Sequence, residues 1–255
     1  MSPPTQQAIA LLRSIATGEA GPSALIHPER YIQHNLTAAD GLAGFVGLQK
    51  LVSSTPNSKI ETIRGFEDGD FVFLHTQYAF FGQNLVGFDI FRFEGDHVVE
   101  HWDNLQPLRG PSPDGHSMID GPVEATGLET TDANKALVRS FIESVLIGRG
   151  MSDLGRFFDG DRYVQHNPGV ADGVSGFLAA AKALAAEGKA PQYARLHLLL
   201  GQGDFVLAVS EGSLAGVASA FFDLFRVENG KIAEHWDTVD VIPPREAWKN
   251  ANGKF

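Results

Sequence analysis

The sequence predicts an α+β fold made of two tandem domains. The first observation is an internal repeat, because RYIQHN at residues 30–35 returns as RYVQHN at residues 162–167. The second is the order within each copy, where helical spacing of apolar residues comes before alternating, β-branched and aromatic stretches. Helices followed by a run of antiparallel strands are typical of a domain in which helices cover one face of a sheet.

The repeat is long enough for each copy to be a whole domain. Asp40-Gly41 returns as Asp172-Gly173, an offset of 172 − 40 = 132, and EHWD at 100–103 returns at 234–237, an offset of 234 − 100 = 134. Units of solenoid proteins are shorter, at about 20–50 residues. We therefore predict a first domain at 1–110, a Gly- and Pro-rich linker at 111–130, a second domain at 131–242 and a peripheral C-terminal tail at 243–255.

Each predicted domain begins with helices and ends with strands. The helical segments lie at 5–18 and 41–52, and at 131–146 and 173–188. The strand segments of the first copy lie at 69–80 and 86–105, with counterparts in the second copy. Strands that follow one another in this way form an antiparallel meander.

The composition excludes several classes of function. The chain has 255 residues, a formal charge of −11 and no cysteine, which argues against nucleic acid as a partner and excludes thiol catalysis and disulfides. It contains neither a basic, apolar leader at its start nor an apolar run as long as a membrane helix. We expect a soluble, cytoplasmic protein with no membrane partner, no metal and no cofactor.

The hairpin in the second copy is predicted to gather two aspartates and a histidine on one sheet face. Glu228-Asn229-Gly230 favours a three-residue turn with a bulge, which pairs Asp223 with His235 and leaves Asp237 on the same face. A two-residue turn would instead pair Asp223 with Trp236 and remove it from that face. The first copy offers the corresponding cluster of Asp89, His101 and Asp103. A carboxylate beside a histidine sets its tautomer, and burial raises carboxyl pKa values towards those useful for proton transfer.

The ordered set of YxQHN, Asp-Gly, DxFR, a turn and EHWD resembles the SnoaL-like polyketide cyclase family. That family belongs to the nuclear transport factor two-like superfamily, with ketosteroid isomerase and limonene epoxide hydrolase. The resemblance covers nearly all of each copy. It implies two cone-shaped α+β barrels, each with a deep apolar pocket, arranged as an internal pseudo-dimer in a chain that is a monomer or a homodimer.

The resemblance also implies roles for the clustered residues. Asp103 and Asp237 match the acidic residue that acts as general acid/base in an aldol closure, without metal or organic cofactor. Asp89 and Asp223 match the aspartic acid that supports an enolate oxygen in ketosteroid isomerase, and His101 and His235 would orient the bases. The predicted substrate-binding residues are His34, Asn35, His75, Phe91, His166, Asn167 and Phe225.

Neighbouring residues on a strand face opposite ways, so only one member of each His-Asn pair should point inward. Asn35 and Asn167 stand where the isomerase has its base, and an amide cannot be a base. His75 has no counterpart in the second copy, where Val209 takes its place, so we expect two non-identical pockets.

Several functions remain open from the sequence. The first is a cofactor-independent enzyme that acts on a hydrophobic, carbonyl-bearing small molecule by aldol cyclisation or isomerisation. The second is an epoxide hydrolase, which would need Arg92 and Arg226 to face the pocket. The third is a module that binds a small molecule without catalysis. The clustered groups could also be a structural polar network, or Asp89 and Asp223 could be ion-pair partners of the two arginines.

Overall fold

The structure is a computed structural model that describes residues 3–255, and it divides into two compact units. The first comprises the described residues of Met1–Leu108 together with Ile242–Phe255, and the second is Arg109–Val241. The predicted α+β fold with two tandem units is confirmed. Residues 111–130, predicted as a linker, belong to the second unit, and residues 243–255, predicted as a peripheral tail, belong to the first. The reason is hydrogen bonding, since Thr126 accepts from the Asp204 amide and Asn250 donates to the Asn35 carbonyl.

The described part of the first unit contains two α-helices and five strands. They are α1 (Pro4–Thr17), β1 (Ile32–Gln33), α2 (Gly41–Ser53), β2 (Lys59–Asp68), β3 (Phe71–Phe80), β4 (Gln83–Glu94) and β5 (His97–Pro107). Helix α1 buries Ala8, Leu11 and Ile15, at the spacing that places side chains on one helix face. It ends at Gly18, whose φ of 75° gives the left-handed cap that glycine adopts without strain.

The second unit repeats this order. It contains α3 (Thr131–Phe141), β6 (Val164–Gln165), α4 (Gly173–Ala186), β7 (Gln192–Gln202), β8 (Phe205–Leu214), β9 (Val217–Glu228) and β10 (Lys231–Val241). A π-helical turn at Ile142–Ile147 continues α3. Among the described residues, no helix is both long and apolar enough to span a bilayer.

Each unit has one five-stranded sheet with the same topology. The order is β1-β5-β4-β3-β2 in the first unit and β6-β10-β9-β8-β7 in the second. The short strands β1 and β6 run parallel to β5 and β10, and the other neighbours are antiparallel. Strands β2 and β7 escaped prediction from the sequence, because charged residues such as Lys59 and Arg195 interrupt their apolar alternation.

The β9–β10 hairpin corrects the predicted register. Its turn has two residues, Asn229 and Gly230, both with positive φ, and Asp223 pairs with Asp237, so the predicted pairing of Asp223 with His235 is wrong. The register shifts between Ile232 and Glu234, where one extra residue bulges. A bulge changes which residues face each other by one position, so it returns Asp223, His235 and Asp237 to one face. Strands β4 and β5 contain the corresponding bulge.

Each sheet packs its inner face against the helices of its own unit. The core of the first unit joins Leu11 of α1 and Phe45 of α2 to Leu74 and Phe91 of the sheet. The core of the second unit is formed in the same way, with Val138 and Phe141 of α3 against Val206 and Phe225. The clustered aspartates and histidines lie on these inner faces.

Candidate active site

Two central strands of the first unit place three ionisable side chains together. Asp89 of β4 lies directly opposite Asp103 of β5, and His101, two residues before Asp103, shares its face. All three are buried, with exposures of 1%, 7% and 6% for Asp89, Asp103 and His101. Each offers one polar atom within 4.8 Å of the others. Such groups rarely lose their contact with water unless partners or a function compensate the cost.

Asp89 is bonded through both oxygens. The Tyr78 hydroxyl donates a short hydrogen bond to Oδ2, and His101 Nε2 lies 3.3 Å from Oδ1. Tyr78 belongs to β3, whose residue Leu74 lies opposite Asp89. Burial, followed by the charge of Asp89, raises the pKa of Tyr78 well above its ordinary value, so this hydroxyl stays protonated and remains a donor.

Gln33 of β1 fixes the tautomer of His101. Its side-chain oxygen accepts from the Asn35 backbone amide at 2.8 Å, which requires an oxygen at that place. The same oxygen lies 3.0 Å from His101 Nδ1, so Nδ1 must carry a hydrogen and donate it. His101 Nε2 and Asp89 Oδ1 therefore share a single proton, either as imidazolium with carboxylate or as imidazole with carboxylic acid.

Asp103 is held through one oxygen only. The Asn35 side-chain amide donates to Oδ2 at 2.7 Å, while Oδ1 is buried and has no hydrogen-bond partner. The Lys254 ammonium group lies 4.0 Å from Oδ1 and donates to the Asp103 backbone carbonyl at 2.8 Å. A buried acceptor without a bond is uncommon in folded proteins and points to an unfilled role.

The second unit builds the same network, except that its tyrosine donor comes from a different strand. His235 Nε2 lies 3.0 Å from Asp223 Oδ1, and His235 Nδ1 lies 3.0 Å from Gln165 Oε1. The tyrosine that donates to Asp223 is Tyr193, at 3.1 Å from both oxygens. Tyr193 comes from β7 and pairs across the ladder with Gly212 of β8. The equivalent pair in the first unit is Ile60 of β2 and Tyr78 of β3. There the tyrosine lies on the second strand of the pair rather than on the first.

The second aspartate of this unit differs from its counterpart. The Asn167 amide lies 3.0 and 2.7 Å from the two oxygens of Asp237. Desolvation by burial raises the pKa of Asp237; the charge of His235 opposes this, and the charge of Asp223 adds to the increase. Burial also raises the pKa of Tyr193 well above its ordinary value.

Three of the residues predicted to bind substrate lie on the opposite face of their sheet. His34 stacks on Trp102 with ring centres 4.7 Å apart and bonds Glu100 Oε1 at 2.9 Å. His166 stacks in the same way on Trp236. His75 faces Phe88 rather than Asp89 across the ladder. Alternation along the strands therefore separates all three from the clustered aspartates.

The asparagines take the inward positions of the two His-Asn pairs, next to Asp103 and Asp237. Phe91 and Phe225 also lie inward, stacked on the histidines at 4.5 and 4.8 Å between ring centres for Phe91–His101 and Phe225–His235. A flat apolar ring on one side of each imidazole limits its contact with water. Their role in substrate binding stays a prediction.

Arg92 and Arg226 point away from the clusters. Arg92 bonds Glu100 at 2.8 Å, and Arg226 bonds Glu234 at 2.6 Å, so neither aspartate of β4 or β9 is their ion-pair partner. Although burial acts in the opposite direction, the bonds from His166 and Arg226 lower the pKa of Glu234.

Sequence reasoning missed three contributors to the site. Gln33 and Gln165 stand inside the repeated YxQHN phrase, two residues before the inward asparagines and on the same face, which was a usable signal. The tyrosine donors gave none, since Tyr78 and Tyr193 occupy different strands of the repeat. Lys254 lies in a segment predicted as peripheral.

Two groups of described residues have enough donor atoms to hold a metal ion. One is the Asp89, His101 and Asp103 cluster, and the other is His116, Asp120 and His166 of the second unit. The donors of the second group already bond within the protein, since His166 Nδ1 lies 2.7 Å from Asp120 Oδ1.

Open clefts of about 680 and 320 Å³ lie beside β6 and β1, respectively. Their lining includes Tyr163 and Arg226 in the second unit, and Tyr31 and Arg92 in the first. Neither lining contains an aspartate of the clusters, so we place the candidate site by its chemistry rather than by these clefts.

Fold and site together define an α+β unit whose inner sheet face carries two carboxyl groups and a histidine. Comparison with known proteins found no matching family model and no matching curated protein. Among solved structures, the chain is similar to IdmH, a proposed polyketide cyclase from Streptomyces antibioticus, with 18% identity over 41% of this chain and 93% of that one, at a TM-score of 0.36. It is also similar to a proposed ketosteroid isomerase from Kribbella flavida, with 18% identity over 45% and 84% of the two chains, at a TM-score of 0.36.

A third similar structure is a proposed polyketide cyclase from Acidithiobacillus ferrooxidans, with 14% identity over 46% and 91% of the two chains, at a TM-score of 0.36. Each match spans nearly one whole partner and less than half of this chain.

Proposed function

We propose that this protein is a cofactor-independent enzyme that removes a proton next to the carbonyl group of a hydrophobic small molecule. The observation that carries the proposal is Asp103 Oδ1, a buried carboxyl oxygen without a hydrogen-bond partner. Around it, the other polar atoms of the cluster are bonded to one another. An acceptor left open in this setting is available for a proton that a ligand brings.

The first step assigns Asp103 as the general base. Its Oδ2 is held by Asn35 at 2.7 Å, which fixes the carboxyl plane and directs Oδ1 into the site. A base positioned in this way contributes about 10²–10⁴-fold to a proton transfer. Burial keeps water from competing for the same oxygen.

The second step assigns the Asp89–His101 pair as the acid. The proton shared at 3.3 Å between His101 Nε2 and Asp89 Oδ1 can be donated to the oxygen that becomes an enolate. Tyr78 bonds Asp89 and Gln33 bonds His101 on the outer sides of this pair. Tyr78 stays protonated, and Gln33 is neutral. Donors that are already oriented towards a developing charge give the largest single stabilisation in many enzymes.

The protons balance without an added reagent. Asp103 gains the proton from carbon while the Asp89–His101 pair lends one to the carbonyl oxygen. Return of a proton from Asp103 to carbon, as the enol hydroxyl gives its proton back to the Asp89–His101 pair, completes an isomerisation or an exchange. In an aldol cyclisation the enol carbon attacks a second carbonyl, Asp103 protonates the new alkoxide, and the enol hydroxyl returns its proton to the pair as its carbonyl re-forms.

The hydrolase alternative is less well supported by the geometry. It needs an arginine between two aspartates, whereas Arg92 and Arg226 lie on the other face and bond Glu100 and Glu234. The apolar side chains around the cluster, Leu74 and Phe91 among them, favour a hydrophobic substrate. Binding without catalysis is kept as an outcome of the experiment.

The test is hydrogen–deuterium exchange of cyclic and polycyclic ketones in heavy water, followed by NMR. Wild type is compared with Asp103→Asn, Asp237→Asn and the double variant. Each asparagine keeps the size of the side chain and loses its basicity, and the two sites serve as matched controls for one another. We expect Asp103→Asn to lower the exchange rate by about 10²-fold or more.

Two outcomes would overturn the proposal. One is exchange that survives in the double variant at the wild-type rate, which would remove both aspartates as bases. The other is saturable binding of ketones with no exchange above buffer, which would favour the binding module.

A further inference from the structure

Lys254 reaches the candidate base of the first unit from a distant part of the chain. Its side chain is 5% exposed, and its ammonium group lies 4.0 Å from Asp103 Oδ1 and 2.8 Å from the Asp103 backbone oxygen. A buried lysine is uncommon, because removing its charge from water is costly unless an opposite charge is near.

Neighbouring bonds hold this lysine in place. The Gly253 carbonyl lies 2.9 Å from His34 Nδ1. The Asn252 side chain donates to the Gln33 carbonyl and to Asp40 Oδ1, both at 3.0 Å. The segment thus lies beside β1, which supplies Gln33 to the site, and beside Asn35, which follows β1.

The second unit places a different residue at the same point. The Ser117 carbonyl lies 2.7 Å from His166 Nδ1, as the Gly253 carbonyl does from His34. His116 bonds Asp172 at 3.1 Å, as Asn252 bonds Asp40. The residue that follows Ser117 is Met118, which is 3% exposed and uncharged. Met118 is therefore the counterpart of Lys254.

We propose that Lys254 is a positioning residue that stabilises the carboxylate form of Asp103, so that the first unit carries the proton-abstracting site and the second unit, with Met118, does not. Opposite charges at this distance attract each other, and the attraction is stronger where water is excluded. The ammonium group keeps its own bond to the Asp103 carbonyl, so Oδ1 stays open for the incoming proton. The predicted effect of Lys254 on ketone exchange rests on the proposed function, whereas its predicted effect on the ionisation of Asp103 does not.

Other charged and titratable groups also face Asp103. Asp89 lies opposite Asp103 on β4, and His101 lies two residues before Asp103 on β5. Tyr31, just before β1, and Tyr78 of β3 interact electrostatically with Asp103. The tyrosines stay neutral because burial, followed by nearby aspartates, raises their pKa values far above neutrality. Lys254 brings a cationic group to 4.0 Å from Asp103 Oδ1.

The second unit shows what this position does without the lysine. Burial is the main reason that the pKa of Asp237 is raised. A carboxyl group that holds its proton to higher pH is a poorer base at a given pH below that value. Lys254 in the first unit and Met118 in the second thus add a difference in charge to two sites whose aspartates, histidines and asparagines are repeated.

The experiment uses the whole chain with three variants. Lys254→Met copies the second unit, Lys254→Arg keeps the charge, and Met118→Lys adds a charge to the second unit. The first measurement follows the Asp103 carboxyl carbon by NMR of protein with [γ-¹³C]aspartate, assigned with Asp103→Asn. We expect Lys254→Met to move the ionisation transition of Asp103 to higher pH by about one unit or more, and Lys254→Arg to restore it.

The second measurement is the pH profile of ketone exchange. In Lys254→Met we expect the acid limb of the profile to move to higher pH by the same amount, with recovery in Lys254→Arg. An Asp103 transition that does not move in Lys254→Met would overturn the inference, whether or not any ketone exchanges. A transition that moves while no ketone exchanges would support the role of Lys254 and count against the proposed function alone.

Discussion

The tautomer of His101 leads to the sharpest prediction, because one side-chain oxygen controls it. Gln33 is 5% exposed, and its Oε1 accepts from the Asn35 amide at 2.8 Å and from His101 Nδ1 at 3.0 Å. Gln33→Met keeps the size of the side chain and removes that acceptor. Two buried donors then lose their partner.

The magnitude follows from the two lost bonds. A buried donor left without an acceptor costs about 1–3 kcal/mol, so the loss of two such bonds in Gln33→Met should lower the free energy of unfolding by about 2–6 kcal/mol. With a urea dependence of about 2 kcal/mol per M, the unfolding midpoint of the first unit should fall by about 1–3 M. Gln33→Glu keeps an acceptor for both donors and should retain most of the stability.

The assay reads the proton directly. Nitrogen-15 NMR of histidine-labelled protein distinguishes a protonated Nδ1 from a protonated Nε2. We expect His101 to hold its Nδ1 proton in wild type and in Gln33→Glu, and to lose this preference in Gln33→Met. A wild-type His101 with an unprotonated Nδ1 would refute the reasoning, and so would a Gln33→Met variant within 0.5 kcal/mol of wild type, a limit well below the roughly 1 kcal/mol cost of one lost bond.

Three further predictions concern the second unit and its hairpin, the last with a control glycine on α2 of the first unit. Tyr193→Phe removes the donor to Asp223 and should destabilise this unit by about 1–3 kcal/mol in urea unfolding; an unchanged midpoint would count against the bond. Folding raises the pKa of Asp237 above its ordinary value of 3.8. The stability that this shift contributes is therefore fully present below pH 3.8 and is lost as the pH rises through the pKa of the folded state. Melting temperatures should therefore show Asp237→Asn gaining on wild type as pH rises, and a constant difference would contradict the shift. Gly230→Ala, at φ 70°, should cost about 1–2 kcal/mol, whereas Gly47→Ala on an exposed helix with open space around it should stabilise by about 0.5–1 kcal/mol; equal signs would refute the backbone argument.

The sequence predicted the fold and the shared face of the cluster because both depend on strong local patterns. The repeated EHWD and DxFR phrases put Asp89, His101 and Asp103 on strands with a two-residue period. The predicted face was right although the register was wrong, since the bulge in each hairpin compensates the shorter turn. The sheet face on which a strand residue lies is therefore predicted more reliably than the residue that pairs with it on the neighbouring strand.

The parts that escaped prediction depend on contacts distant in sequence. Tyr78 and Tyr193 reach equivalent aspartates from different strands, so a search for repeated residues does not find them. Lys254 contacts Asp103 across 151 residues of sequence, and its segment showed no apolar periodicity. His34 looked like a partner of the aspartates, yet its strand position turns it towards Trp102.

The way the chain is shared between the two units limits how the protein can be divided. The first unit needs Ile242–Phe255, which is encoded after the whole of the second. A gene cut after codon 108 would yield a fragment whose candidate base lacks its lysine, and a companion fragment that carries the missing piece. The two halves of this duplicated protein have therefore ceased to be interchangeable modules, and recombination that exchanges one half must preserve a short stretch at the far end of the other.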